Sequence, residues 1–205
     1  MRDRTGTLHP RTSALTEPHP IVSLRERLRR DTRADHDRVD AAFGAFALGT
    51  APGLRAFLQA QGAGLAALRG AEGAGDVADD LDRALGAIAA DLAALGGRLP
   101  PAIPFAGPDH ATARRYLWLG SRLGARVLAR SWAASADPAV RAAGSYMGAA
   151  ADPAPWRRFL ADAGAHPAVG PEADRVVAAT RAWFALFEAA ALRETDAAAP
   201  ERRHA

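Results

Sequence analysis

Alanine fills about a quarter of this 205-residue chain, and β-branched residues are scarce. That balance limits what the chain can build more than any other feature. Alanine, leucine, arginine and glutamate suit helices, whereas strands draw on β-branched and aromatic side chains. The sequence therefore predicts an all-α fold, and its length is that of one domain able to bury a core unaided. Cysteine is absent, which excludes disulfides, thiolate metal sites and a cysteine nucleophile. Any metal chemistry has to use histidine, carboxylates or tyrosine.

Charge narrows the partners. Lysine never occurs, so all 26 basic residues are arginine, and 23 acidic residues interleaved with them leave a net charge of only +3. A nucleic-acid surface clusters its basic residues on one face, so no nucleic-acid partner is expected. No apolar run reaches the roughly 18 residues of a membrane span, and the N-terminus lacks an apolar signal core. These absences point to no membrane partner and to a cytoplasmic location.

Proline, glycine and capping residues divide the chain into helices. Residues 1–20 carry turn formers without an apolar period and read as a disordered extension holding His9 and His19. Ser23, with Glu26 three residues on, forms a capping-box pattern opening a helix that runs to Phe43 or Phe46. Further helices are expected from Pro52 to Arg69 and from Asp76 to Leu95, the latter closed by Gly96 and Gly97. The proline-rich stretch from Leu99 to Pro108 is an extended connector. Asp109 is expected to cap a helix from about His110 to Ala134, with others at Pro138 to Ala150, Pro155 to Ala163 and Pro171 to Arg193. The helical domain is thus residues 21–194, followed by a flexible tail at 195–205 that includes His204. His166, before Pro167, is expected in a loop.

The first helix carries the first chemical signal. Leu24, Leu28, Thr32, His36, Val39 and Phe43 recur at helical spacing on one stripe, which puts His36 where a core residue belongs. One reading is a buried histidine hydrogen-bonded to a neighbour. The other is an axial ligand for haem iron, since a neutral imidazole on a rigid helix suits that metal. Arg29 and Arg33 lie seven and three residues before it, and guanidinium forks beside an apolar slot suit haem propionates. Asp40, four residues after, is placed either to hold the outer imidazole nitrogen or a water, or to pair with an arginine on the surface.

The second signal is a pair of glycines, Gly120 and Gly124, inside the strong helical pattern of residues 116–130. Each costs about 0.5–1 kcal/mol relative to alanine in a helix interior. In a chain this rich in alanine they want a reason. Close packing of two helices is one. A backbone that bends over a flat ligand, leaving room above it for a diatomic molecule, is the other. Ser121 adds a small polar group there, and Ala125 extends the uncrowded strip.

The segments Leu24 to Asp40 (LRERLRRDTRADHDRVD) and Leu119 to Leu128 (LGSRLGARVL) resemble the proximal and distal helices of the haem oxygenase family, closest to its bacterial branch. The resemblance spans most of residues 22 to 192, with only these two motifs specific. It implies a single-domain multi-helix bundle with haem sandwiched between a proximal and a distal helix. His36 would be the iron ligand, with Gly120, Ser121 and Gly124 on the catalytic distal face. Arg29, Arg33, Tyr116 and Arg157 would serve the propionates, and Phe184, with Phe187 near it, would wall the haem edge. As a pair at helical spacing, Phe184 and Phe187 also fit a plain core.

The resemblance further implies that haem is both substrate and cofactor, opened to biliverdin with release of carbon monoxide and ferrous iron. Oxygen and external electrons would be consumed. No flavin or nicotinamide fingerprint occurs, so a ferredoxin or reductase is the expected donor, and a bilin-binding photoreceptor a possible recipient of the product. The sequence departs from the family at Ser121, where many members carry an aspartate that anchors distal water. It departs again at Ala125 in place of a glycine and at Leu119 in place of a residue often acidic. Two alternatives follow: a haem-binding transport or sensor protein of the same fold without turnover, and a cofactor-free helical interaction protein with a structural His36.

Overall fold

The computed structural model describes residues 22–71, 75–149 and 152–198. The expected extension at 1–20, with His9 and His19, lies outside the described residues, as do 199–205 of the tail. Eight α-helices and one 3-10 turn account for the regular structure among the described residues. They are α1 (Leu24–Asp31), α2 (Arg33–Gly44), α3 (Ala51–Gly70), a 3-10 turn (Gly75–Val77), α4 (Ala78–Ala94), α5 (Ala111–Ala133), α6 (Pro138–Ala142), α7 (Ala154–Ala165) and α8 (Pro171–Ala198). The chain is all-α there, its one β-bridge joining Ser23 to Pro167. Among the described residues, no helix is long and apolar enough to cross a membrane.

The capping box forms as read: Glu26 N–H donates to Ser23 Oγ, while Ser23 and Val22 N–H donate to Glu26 Oε2. The helix it opens is broken where continuity was expected. Thr32 is fully buried and its hydroxyl donates to the Leu28 carbonyl at 2.7 Å, with ψ relaxed to 8°. This back-bonding competes with the helix ladder and lets a new helix start one residue later. Leu24, Leu28 and Phe43 are in the core, but His36 on the same stripe faces open space and half of its side chain is exposed, so it is not the buried residue expected.

The core is centred on α8, against which α1, α2, α3 and α5 pack. Trp183 on α8 is fully buried, stacked on Phe105 at 3.7 Å, and donates from Nε1 to Asp109 Oδ1. Asp109 also takes the Arg114 guanidinium, so this carboxylate pins the Leu99 to Pro108 connector to the bundle. The cap of α5 is therefore His110, not Asp109: its Nδ1 accepts from Thr112 N–H and its Nε2 meets Glu172. α4 ends at Ala94 with Leu95 as its cap, and Gly96 just beyond, at φ 68°, makes the left-handed stop that the glycine pair predicted.

Two further expectations are corrected. The helix expected from Pro138 to Ala150 stops at Ala142, because Ser145 and Tyr146 give their N–H groups to the Asp91 carboxylate of α4, both at 2.8 Å. At its far end α8 runs to Ala198, so residues 195–198 are helical where a tail was expected. His166 caps α7, and its carbonyl accepts from Leu24 N–H, tying the start of α1 to the α7–α8 connection.

Candidate functional site

α2 and α5 both rest on α8 but stand apart from each other, and the space between them is a cavity of about 440 Å³. That is within the range of small-molecule sites. α2 contributes His36, Val39, Asp40 and Phe43, and α3 contributes Phe57 and Gln61. α5 supplies Tyr116, Leu117 and the strip Gly120, Ser121, Leu123, Gly124, Ala125 and Leu128. Tyr146, Trp156, Phe184 and Phe187 close the remainder. The wall is mainly hydrocarbon and aromatic, with a few polar groups at defined points.

His36 is the basic group at one wall. Its Nδ1 lies 3.2 Å from Asp40 Oδ2, and its ring meets Phe184 edge to face at 5.6 Å. A carboxylate beside one ring nitrogen is an arrangement also found behind metal-bound imidazoles. Among the described residues, no group of three or more His, Cys, Asp or Glu is placed to hold a metal ion. A bare ion needs several protein ligands; an iron already held by four macrocycle nitrogens needs one imidazole.

Across the cavity, α5 is helical without interruption through both glycines, so the opening there comes from missing side chains and not from a break in the helix. A Cβ built on Gly124 would meet nothing within 4 Å, and one on Gly120 would only touch Trp156 at 3.9 Å. Close helix packing is thus not what these glycines serve. Elsewhere the chain does use glycine for packing: a Cβ on Gly64 would lie 2.5 Å from the Phe187 ring, and one on Gly62 2.6 Å from Leu99. Ser121 lines the strip, but its hydroxyl donates to the Trp118 carbonyl at 2.8 Å.

Of the residues singled out in the sequence, His36, Tyr116, Gly120, Ser121, Gly124 and Phe184 meet on this one cavity. Tyr116 is held toward Thr32, and burial pushes its phenol up from the ordinary value while the nearby Arg29 charge opposes that shift. Arg29 itself is exposed on α1. Arg33 is also exposed and lies 3.6 Å from Asp37, outside the cavity wall. Arg157, exposed on α7, is not part of the wall either; its neighbour Trp156 points there instead. Sequence reasoning missed Gln61 and Tyr146. Gln61 Nε2 donates to the Tyr146 hydroxyl at 3.1 Å, both side chains are buried, and burial raises the Tyr146 phenol. Two amides, Gln59 and Gln61, inside an otherwise apolar run (AFLQAQGAGLAAL) were the available signal for Gln61.

Compared with known proteins, the chain matches no protein-family profile and no curated protein.

Proposed function

We propose that this cavity takes haem between α2 and α5, with His36 as the axial ligand to iron, and that the protein is a haem oxygenase. The observation that carries the reading is the pairing of two unlike walls: an imidazole with a carboxylate beside it on α2, and a strip of α5 kept free of side chains by Gly120 and Gly124. A flat apolar macrocycle fills the space between them. The glycine strip leaves room over the face opposite His36 for dioxygen, which is small enough to lie along the ring toward its edge. Phe184 and Tyr116 pack the ring, and Arg29 and Arg33, exposed on α1 and α2, would supply guanidinium groups for the propionates.

Haem is the substrate. Oxygen and electrons from an external donor, a ferredoxin or a reductase, open it to biliverdin with release of carbon monoxide and ferrous iron. The chain's own part is to bind and orient the ring, present the His36 imidazole from α2, and keep bulk water off an apolar face. A bilin-binding photoreceptor is a natural recipient of the product. The cytoplasm, where reduced ferredoxins and reductases work, is the matching location.

One observation favours a second reading, haem binding without turnover: the Ser121 hydroxyl is spent on the Trp118 carbonyl, and α5 carries no carboxylate on this wall. A ferric haem titration of the wild type and of His36→Ala tests binding, with the Soret band expected to sharpen and shift only in the wild type. Adding a reductant and oxygen to the complex then separates the readings. The Soret band gives way to biliverdin absorption if the enzyme reading holds, and a persisting Soret band leaves binding alone.

A further inference from the structure

We propose that the Tyr146 hydroxyl, held by Gln61 and Asp91, is the hydrogen-bond donor to the small ligand on the face of haem opposite His36; this rests on the haem-binding reading above. The α5 strip has no free donor of its own, since Ser121 is bonded to Trp118 and its neighbours on the wall are glycine, alanine and leucine. Yet the chain assembles three elements to bring one hydroxyl to the same cavity. Asp91 of α4 is 1% exposed and accepts from both Ser145 and Tyr146 N–H, which stops the preceding helix and fixes the tyrosine backbone. Gln61 of α3 fixes the other end of the side chain.

Burying an aspartate, an amide and a phenol costs free energy that hydrocarbon side chains would not incur, and each must be hydrogen-bonded to be tolerated. A phenol has one proton to give and room to accept. Gln61 Nε2 and the Arg122 guanidinium both bond the phenol oxygen as donors, so neither of them takes the Tyr146 proton. Tyr146 lines the same cavity as His36 and the α5 strip of Gly120, Ser121 and Gly124. Burial keeps the phenol protonated, hence a donor, across the neutral range.

Sodium fluoride binding to the ferric haem complex of the full chain tests this, since fluoride on iron is stabilised by a distal donor. Tyr146→Phe is expected to weaken fluoride about tenfold, or about 1.4 kcal/mol. Ser121→Ala is expected to have a smaller effect than Tyr146→Phe. Gln61→Leu leaves the phenol but removes what aims it, and shifts the affinity in the same direction, so the test survives a Tyr146→Phe protein that does not fold. Unchanged fluoride affinity in either Tyr146→Phe or Gln61→Leu, or a larger loss in Ser121→Ala, overturns the proposal. A wild type with no Soret change on adding haem fails at an earlier step, and removes the haem reading itself.

Discussion

Replacing Gly124 by alanine in the apoprotein is expected to stabilise it, and replacing Gly64 by alanine to destabilise it. Both glycines lie in helix interiors, so each substitution gains about 0.5–1 kcal/mol of helix propensity. At Gly124 nothing opposes the gain: the position is exposed and no atom lies within 4 Å of the new Cβ. The net effect is about 0.5–1 kcal/mol, or about 1–4 °C in melting temperature for a domain of this size. At Gly64 the new methyl would sit 2.5, 2.7 and 2.8 Å from three ring atoms of Phe187, itself 5% exposed and wedged between α3 and α8. Overpacking of that kind costs about 1–3 kcal/mol, which outweighs the propensity gain.

Thermal and urea unfolding of the two apoproteins, followed by helical circular dichroism, reads the sign of each. A Gly124→Ala protein less stable than the wild type would refute the claim that this glycine keeps a space open and does not serve packing. The same logic carries to ligand capture. Gly124→Leu projects a branched side chain into the strip facing His36, so the apoprotein should hold its fold while haem uptake falls.

Two further outcomes follow from the polar contacts. Asp91→Asn replaces one acceptor oxygen with a donor facing a backbone N–H, leaving a buried group unpaired in the Ser145–Tyr146 turn; a loss of about 1–3 kcal/mol in urea unfolding is expected. Stability should also fall on acidification. The Val22 and Ser23 N–H groups hold Glu26 below its ordinary 4.5, Arg30 and then Arg27 hold Asp31 below 3.8, and Arg175 and then His110 hold Glu172 below 4.5. A carboxylate with a depressed folded pKa contributes stability above its unfolded value and loses it as pH falls through the folded one. Melting temperature is therefore expected to decline below about pH 4.5, with a shallower acid slope in Glu26→Gln; an unchanged slope in that variant would remove the capping box from the cause.

Local chemistry was legible in the sequence where it acts within a few residues. The Ser23 box, the Gly96 stop and most helix bounds depend on neighbours along the chain, and they form as read. The failures share one origin in contacts between distant residues or in a side chain that bonds its own backbone. Thr32 fits a core stripe by spacing and is buried, yet its relaxed ψ divides the helix there, and His36 on the same stripe is half exposed because α2 faces a cavity formed with distant α5. The helix after Pro138 reads as continuous because nothing near it announces Asp91, more than fifty residues earlier, claiming two of its N–H groups. Arg157 was matched on a short pattern, but one residue decides which side of α7 faces the cavity, and Trp156 has that side.

The glycines show the limit most sharply. Gly62 and Gly64 on α3 and Gly120 and Gly124 on α5 are all helical glycines in alanine-rich surroundings, and no property of the residue separates the two pairs. What separates them is the element opposite. α3 faces Leu99 and the Phe187 ring at distances a methyl group cannot share, whereas Gly124 faces open space and Gly120 only the rim of Trp156. A glycine that cost helix stability and admitted no neighbour would be lost to alanine without consequence if the cavity were only a packing defect. Under the haem-binding proposal the open strip has a use, because a ligand lying on bare backbone approaches closer than any side chain would allow.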